Sequence, residues 1–213
     1  MIAALLLAAA SVPTAVDAER AFAADSHRIG QWTAFRKWAD KDAVMFAPTA
    51  VSAQEFLKDR KDPPESLDWA PSDSWVSCDG RTAINRGPWT GAKGKTHGYF
   101  TTVWMRQKSS WRWVYDGGDA LAEPMALPPR PRVVRASCSG RMRIPAAYRR
   151  TVGTTARLAG KAPGEAGQGR SADGTLIYKW KVAAGGARHF QAKLWNGRSY
   201  RIILDQSVAA PTQ

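Results

Sequence analysis

The feature of this sequence that most constrains its fold is a change of hydrophobic period near residue 65. Before this point, large apolar residues recur at spacings of three and seven, which is typical of one face of a helix: Phe22, Ile29, Trp32, Phe35 and Trp38. After it, apolar and polar residues alternate in four runs, as in strands with one buried face: 69–78, 81–90, 98–108 and 111–117. The chain therefore predicts a long N-terminal helix packed on an antiparallel sheet, which is the α+β class.

Turn-forming residues separate the four runs. Asp79 and Gly80 follow the first run, the segment GAKGKTHG lies before the third, and a Lys-Ser-Ser turn lies before the last. Short connections of this kind join neighbouring antiparallel strands. A strand at AVMFAP, stopped by Pro48, and a short helix at SAQEFLKDR precede the four runs. We expect one domain over residues 19–119.

The second half of the chain has its own β pattern. Residues 120–134 are rich in proline and predict a linker. Further on, apolar and polar residues alternate again, and Asn196-Gly197 is a strong two-residue hairpin turn. We expect a small antiparallel sheet over residues 135–206, with a flexible loop at GKAPGEAGQGRSADG, and a disordered tail over residues 207–213.

The first eighteen residues, MIAALLLAAASVPTAVDA, have the composition of an export signal. An apolar run is followed by small residues that fit cleavage after Ala18, with Ala15 as the second choice. A different start codon would explain why no Lys or Arg precedes the run, and a buried N-terminal helix is the alternative interpretation. The run is shorter than the ~20 residues that a bilayer span needs. We expect a soluble protein that is periplasmic or secreted.

Two cysteines, Cys78 and Cys138, suit an exported protein. An even number of cysteines in an oxidising compartment favours a disulfide over a metal or redox site. Two unrelated buried thiols are the alternative. A bond between the two cysteines would tie the predicted first domain to the second half of the chain.

The net charge of +13 is unevenly distributed. Residues 19–125 hold fifteen Lys and Arg against fourteen Asp and Glu, whereas residues 126–213 hold sixteen against three. Since we expect export, we do not expect nucleic acid as a partner. The basic second half instead predicts attraction to an anionic surface such as lipid headgroups or acidic glycans. A solvated basic face that keeps the protein soluble is the alternative.

Several familiar motifs are incomplete. The segment GKT at residues 94–96 is not a phosphate-binding loop, because Trp89 stands where that motif needs glycine and a strand, not a helix, is predicted to follow. The three histidines are far apart and form no metal-binding pattern, and no GxSxG motif occurs. We expect neither a metal nor a cofactor.

Two segments carry a family resemblance: ERAFAADSHRIGQWTAFRKWADKDAVMFAP at the start, and GYFTTVWMRQKSSWRWVYDGG at the end of the first domain. Over residues 19–119 the chain resembles the nuclear transport factor 2-like superfamily, which includes SnoaL-like polyketide cyclases and ketosteroid isomerases. The resemblance implies a cone-shaped, curved antiparallel sheet closed by the long helix around a pocket. Members of this superfamily include enzymes, binding proteins and dimerisation modules, so the fold does not fix the function.

The chain departs from the isomerase pattern at the proton-shuttling base. The isomerases carry an Asp-Ala-x-x-x-Asp-Pro segment after the first helix, and this chain has DAVMFAP at residues 42–48. The base position is therefore Ala47, whose methyl group cannot accept a proton. The predicted first helix also lacks the oxyanion-stabilising tyrosine. We therefore lean towards a protein that is not an enzyme.

A looser set of residues is left for the pocket. Asp116 and His27 are the candidate acid or base, since a carboxylate in an aromatic pocket can have a raised pKa. A structural salt bridge from Asp116 to Arg106 or Arg112 is the alternative. The candidate ligand-binding residues are Trp32, Arg36, Asp40, Asn85, Trp89, Trp104 and Arg106.

Three functions are compatible with these residues. The first is an exported binding protein with an aromatic pocket for a small apolar or ring-bearing molecule. The second is a SnoaL-like cyclase, dehydratase or isomerase that uses Asp116 or His27. The third is a dimerisation scaffold, in which the open sheet face pairs with a second copy of the chain.

Overall fold

The computed structural model of the protein describes residues 13–149, 153–157, 165–183 and 185–211. In the described part of the chain, three α-helices and eight strands precede residue 136: α1 (Ala15–Ile29), α2 (Gln31–Trp38), β1 (Ala39–Phe46), β2 (Ala50–Ser52), α3 (Ala53–Leu57), β3 (Asp68–Trp69), β4 (Asp73–Val76), β5 (Thr82–Gly91), β6 (Thr96–Gln107), β7 (Ser110–Ala120) and β8 (Arg132–Arg135). Five strands follow: β9 (Gly153–Arg157), β10 (Glu165–Arg170), β11 (Leu176–Val182), β12 (Arg188–Trp195) and β13 (Tyr200–Val208). The α+β class is confirmed.

The first sheet is mixed, not purely antiparallel as the sequence predicts. Its strand order is β2-β1-β7-β6-β5-β4-β8, and β3 pairs with β5. The β4 to β7 meander is antiparallel, but β1 lies parallel to β7 and β8 lies parallel to β4. β8 comes from the end of the predicted linker, at residues 132–135. Its pairing extends the first sheet with a segment that the sequence pattern assigns to no domain.

The predicted long helix is two helices that meet at Gly30. This glycine has φ 99°, and a Cβ there would lie 2.3 Å from the Asp62 carboxyl carbon. Asp62 accepts hydrogen bonds from the backbone N–H of Thr33 (2.9 Å) and from its hydroxyl (2.6 Å). The Asp62 carboxylate thus satisfies a free N–H in the first turn of α2, which makes the break stable.

Helix α1 begins earlier than the predicted domain. Thr14 and Asp17 form a capping box, and Ala15 and Ala18 are buried against the sheet. Residues 14–18 of the predicted export signal are therefore part of α1 and its cap in the folded chain. Residues 1–12 of that signal lie outside the described residues.

The second sheet is antiparallel, in the order β13-β12-β11-β10-β9. β10 lies within the stretch predicted as a flexible loop, and residues 160–164 of that stretch lie outside the described residues. β13 continues to Val208, into the predicted tail, whose residues 212 and 213 are also outside them. The predicted disulfide is present between Cys78 and Cys138 (S–S 2.02 Å). No helix in the described part of the chain is long and apolar enough to cross a membrane.

The two faces of the first sheet have different partners. α1 contacts β5, α2 contacts β7 and α3 contacts β1, so the helices lie on one face. The second sheet packs on the other, where the rings of Phe46 and Trp180 lie 5.4 Å apart and those of Tyr115 and Phe190 lie 4.7 Å apart. Thr101 donates a hydrogen bond across this contact to Gln206 (3.0 Å). The face predicted to pair with a second copy is covered by the chain's own second sheet.

Candidate functional site

A cavity of about 280 Å³ lies between the helices and the first sheet. Eight aromatic side chains line it: Phe22, Trp32, Phe35, Phe46, Trp69, Trp89, Tyr99 and Phe100. Asp116 and Asp119 are the two carboxylates in the lining, and Arg188 reaches the cavity from β12 of the second sheet. The cavity thus combines a mostly apolar wall with a few polar groups, as small-molecule sites do.

A β-bulge brings Asp116 to this cavity. Strict alternation along β7 would put Trp113 and Asp116 on opposite faces. In the structure Val103 and Trp104 of β6 oppose Tyr115 and Trp113, so one extra residue, Val114, is inserted in β7. An inserted residue reverses which face the following side chains occupy. Trp113 and Asp116 consequently share the helix-facing side, while Tyr115 faces the second sheet.

Asp116 is surrounded by protein but open to the cavity. Its Oδ2 accepts a hydrogen bond from the Thr102 hydroxyl (3.0 Å). Burial, followed by the nearby Glu19 carboxyl, raises the pKa of Asp116 from 3.8 to about 7, while the Thr102 hydrogen bond acts in the opposite direction. Neither Arg106 nor Arg112 forms an ion pair with it among the described residues, so the predicted structural salt bridge is absent there.

Glu19 of α1 is the functional candidate that the sequence analysis missed. Its side chain is fully buried and accepts hydrogen bonds from the indole N–H groups of Trp104 (2.6 Å) and Trp69 (3.0 Å) and from the Asn85 amide (3.2 Å). Burial outweighs these three hydrogen bonds and raises the pKa of Glu19 from 4.5 to about 7. Its position three residues before Phe22, on the apolar face of the helix, was the available signal. Because the predicted domain began at residue 19, Glu19 was not recognised as a buried residue within the helix.

A row of polar residues connects the two carboxyls across the sheet. Asn85 of β5 is paired in register with Thr102 of β6, which is paired with Asp116 of β7. Asn85 also donates to the backbone carbonyl of Ala15 in α1 (2.9 Å). α1 therefore lies over this row and holds Glu19 against it.

Five of the predicted site residues lie at or beside the cavity. Trp32, Trp89 and Asp116 line it. Asn85 and Trp104 are fully buried behind the cavity wall, and both donate hydrogen bonds to Glu19. These two residues support the site and do not line it.

The other four predicted residues lie elsewhere. His27 pairs with Asp68 at the exposed surface (3.0 Å), and Arg36 donates to the carbonyl of Leu57 (2.5 Å). Asp40 accepts hydrogen bonds from the Asp42 backbone N–H and the Gln107 side chain. Arg106 lines a different cavity. Sequence spacing alone does not show which side of a helix or which end of a strand faces a cavity.

The second sheet helps to form the cavity through Arg188. Its guanidinium donates to the carbonyl of Gly118 in β7 (3.0 Å) and lies 4.9 Å from the centre of the Phe46 ring. A cation over an aromatic ring is favourable, so Arg188 is held in place from two sides. The predicted second half is therefore part of this site. Among the described residues, no cluster of three or more His, Cys, Asp or Glu could hold a metal ion.

Comparisons with known proteins find only structural neighbours. No family model matches the chain, and no curated protein matches it. A proposed ketosteroid isomerase from Parabacteroides distasonis is 13% identical, with a TM-score of 0.44 over 54% of this chain and 94% of that one.

Two further solved structures are similar to the chain. An NTF-2 like protein of unknown function from Shewanella oneidensis is 14% identical, with a TM-score of 0.39 over 46% of this chain and 91% of that one. A proposed aromatic ring hydroxylase from Novosphingobium aromaticivorans is 17% identical, with a TM-score of 0.36 over 51% and 87%. Each of these three structures is similar to about half of this chain.

Proposed function

We propose that this protein binds a small, largely apolar, ring-bearing molecule in the aromatic cavity. The observation that carries the proposal is the set of eight aromatic side chains that line the same cavity as the Asp116 carboxyl. Aromatic rings offer flat apolar surface and favour edge-to-face contact with another ring. A volume of about 280 Å³ suits a molecule of one or two rings. The helices and the first sheet close on it as a cone.

Asp116 supplies the polar contact for this ligand. Because its pKa is raised to about 7, the carboxyl carries a proton over much of the range below neutral pH. A protonated carboxyl donates a hydrogen bond to a carbonyl or hydroxyl oxygen, whereas the ionised form only accepts. The ligand therefore has an oxygen substituent at one end, and the aromatic wall encloses the remainder.

Proton transfer by Asp116 is the second candidate function. The observation that favours it is the buried Glu19 carboxyl, whose charge raises the pKa of Asp116 and whose own pKa is raised to the same range. An acid or base works best when its pKa lies near the working pH, and two interacting carboxyls titrate as a pair. Ala47 excludes the isomerase base position, so Asp116 would act as both acid and base.

The test is a fluorescence titration of the full chain with ring-bearing ketones and phenols. We expect saturable quenching of tryptophan emission, with an affinity that changes as the pH crosses about 7 in the natural chain but not in Asp116→Asn, because the amide cannot change its protonation state. Asp119→Asn is the matched control, since it makes the same change at another carboxylate of the same cavity. Quenching that is unaffected by Asp116→Asn would remove the assigned role of Asp116. Product formation that stops in this variant would establish the enzyme.

We also propose an anionic surface as a partner for this protein. The outer face of the second sheet presents Lys179, Lys181 and Lys193, and Asp205 is the acid beside them. Such a face is attracted to anionic headgroups or glycans. A homodimer would have to use a surface other than the covered face of the first sheet.

A further inference from the structure

A second cavity lies on the helix-facing side of the first sheet. It has a volume of about 420 Å³ and is lined by the first turn of α1 together with residues of β4, β6, β7 and β8. Ser74 of β4 is paired in register with Asn85, over which α1 passes. α1 therefore separates this second cavity from the aromatic one.

Two arginines give the second cavity a positive charge. Arg106 and Arg135 both line it. Arg135 donates to the carbonyl of Cys78 (3.0 Å), whereas the Nε of Arg106 is buried and has no hydrogen-bond partner. No carboxylate in the described ranges forms an ion pair with either guanidinium. A buried guanidinium N–H without a partner is costly, so a ligand that accepts its hydrogen bond is favoured.

The acid in the lining, Asp79, forms no ion pair with these arginines. Asp79 accepts hydrogen bonds from the Ser77 hydroxyl (2.5 Å) and from the backbone N–H of Arg81 (2.9 Å), so its carboxylate closes its own turn. Thr14 and Asp17 likewise cap the start of α1 and leave no need for an anion there. The attraction for an anion therefore comes from the guanidinium groups.

A buried hydroxyl gives a second, independent indication of a ligand. Ser74 is 1% exposed, lines the cavity, and its Oγ has no hydrogen-bond partner. Buried hydroxyl groups in proteins nearly always have a partner. The cavity thus contains a hydroxyl and a guanidinium N–H that have no hydrogen-bond partner. A carboxylate can accept hydrogen bonds from both kinds of donor.

The remaining wall of the cavity is apolar. Val16, Val76, Trp111 and Val133 line it. An inorganic anion would leave this wall and most of the volume without contacts. An organic ligand with a charged end and an apolar body contacts both parts.

We propose that this second cavity binds an organic carboxylate. Its carboxylate group accepts hydrogen bonds from Arg106 and Ser74, and its apolar body lies against Trp111 and the valines. This site is separate from the aromatic cavity and does not depend on the function proposed for it.

The test is calorimetric titration of the full chain with benzoate, benzyl alcohol and inorganic phosphate. We expect benzoate to bind more tightly than either of the other two, because only benzoate has both a carboxylate and an apolar body. Arg106→Gln should weaken benzoate binding at least tenfold and Ser74→Ala about threefold, because charge-assisted hydrogen bonds are the stronger ones. Arg201→Gln removes an exposed positive charge on β13 and should leave the affinity unchanged.

Three results would overturn the proposal. Equal binding of benzoate and benzyl alcohol would show that the carboxylate is not recognised, and tighter binding of phosphate would show that the apolar wall is not used. Benzoate binding that is lost in Asp116→Asn but kept in Arg106→Gln would place the ligand in the aromatic cavity. Should Arg106→Gln unfold, Arg106→Lys keeps the charge but loses the forked geometry, and it is expected to weaken binding severalfold.

Discussion

The two faces of the first sheet are built from the same strands but differ in what they enclose. On the face covered by the second sheet, Val103, Tyr115, Phe190 and Trp180 form a core with rings in contact. On the helix-facing side, the strands carry polar residues and two cavities open beside α1. Alternation along a strand lets one face stabilise the fold while the other carries the buried polar groups that a site needs. Both candidate cavities therefore lie on the helix-facing side.

The largest expected effect is on stability, at the covered face. Phe190→Ala removes a ring that is 3% exposed and packs 4.7 Å from Tyr115, so it should lower the free energy of unfolding by about 3–5 kcal/mol. Phe35→Ala is the matched change in the wall of the aromatic cavity and should cost about 1–2 kcal/mol, because space is already present beside that ring. Urea denaturation measures both. Equal losses would show that the two faces do not differ in packing.

The next largest effect on stability is expected from removing the disulfide between Cys78 and Cys138. It joins residues that are 60 apart in the chain, and the chain-entropy relation gives about 4 kcal/mol for such a loop. Replacing both cysteines with alanine should lower the free energy of unfolding by up to that amount. It should leave ligand affinity in the aromatic cavity nearly unchanged, because neither cysteine lines it. Lost affinity in a variant that is still folded would mean that the bond positions the site.

The raised pKa of Glu19 predicts that the free energy of unfolding depends on pH. Its pKa is raised from 4.5 to about 7 in the folded chain, so the folded state holds the proton more tightly than the unfolded state. This contribution to stability is fully present below pH 4.5 and is lost as the pH rises to about 7; it amounts to roughly 3 kcal/mol.

Glu19→Gln tests this dependence because glutamine does not titrate. Chemical denaturation between pH 4.5 and 8 should show a flatter stability profile for Glu19→Gln than for the natural chain. Asp17→Asn, at an exposed carboxylate of the same helix, is the control and should not flatten the profile in this range. Identical profiles for the natural chain and Glu19→Gln would contradict a protonated Glu19 in the folded state.

The smallest effect concerns the outer face of the second sheet. Binding to vesicles that contain anionic lipid should weaken as salt is raised, because exposed charges are screened. Lys179→Gln should reduce the affinity about fivefold, as expected for one lysine near an anionic surface. Lys41→Gln, on β1 of the first sheet, is the control. Absence of binding at low salt would remove this partner.

Sequence patterns predicted the elements better than their contacts. Period-two runs predicted the meander, and cysteine parity predicted the disulfide. No pattern marked Val114 as the inserted residue that turns Asp116 towards the helices, because a bulge depends on pairing with β6. The packing of the second sheet on the first was not predicted either. Alternation in β11 and β12 shows that one face of the second sheet is buried, but it does not show which part of the chain covers that face.

The candidate site was predicted only in part, because it too depends on contacts between distant parts of the chain. Asp116 was identified because a carboxylate among aromatic residues is unusual, whereas His27 and Arg36 were included for their chemistry alone. Glu19 becomes prominent only when α1 is seen to begin at Ala15 and to cross Asn85. Burial of a charged side chain depends on tertiary contacts, and it is burial that raises both pKa values.

Two carboxyls on the helix-facing side of the sheet, Glu19 and Asp116, are expected to titrate near neutral pH, and Asp116 is open to the aromatic cavity. Carbon-13 NMR of the Asp and Glu carboxyl groups tests this most directly, with Asp116→Asn and Glu19→Gln identifying the two resonances. We expect both resonances to titrate near pH 7, as a coupled pair. Titration of Asp116 near pH 4, unchanged by Glu19→Gln, would contradict the claim.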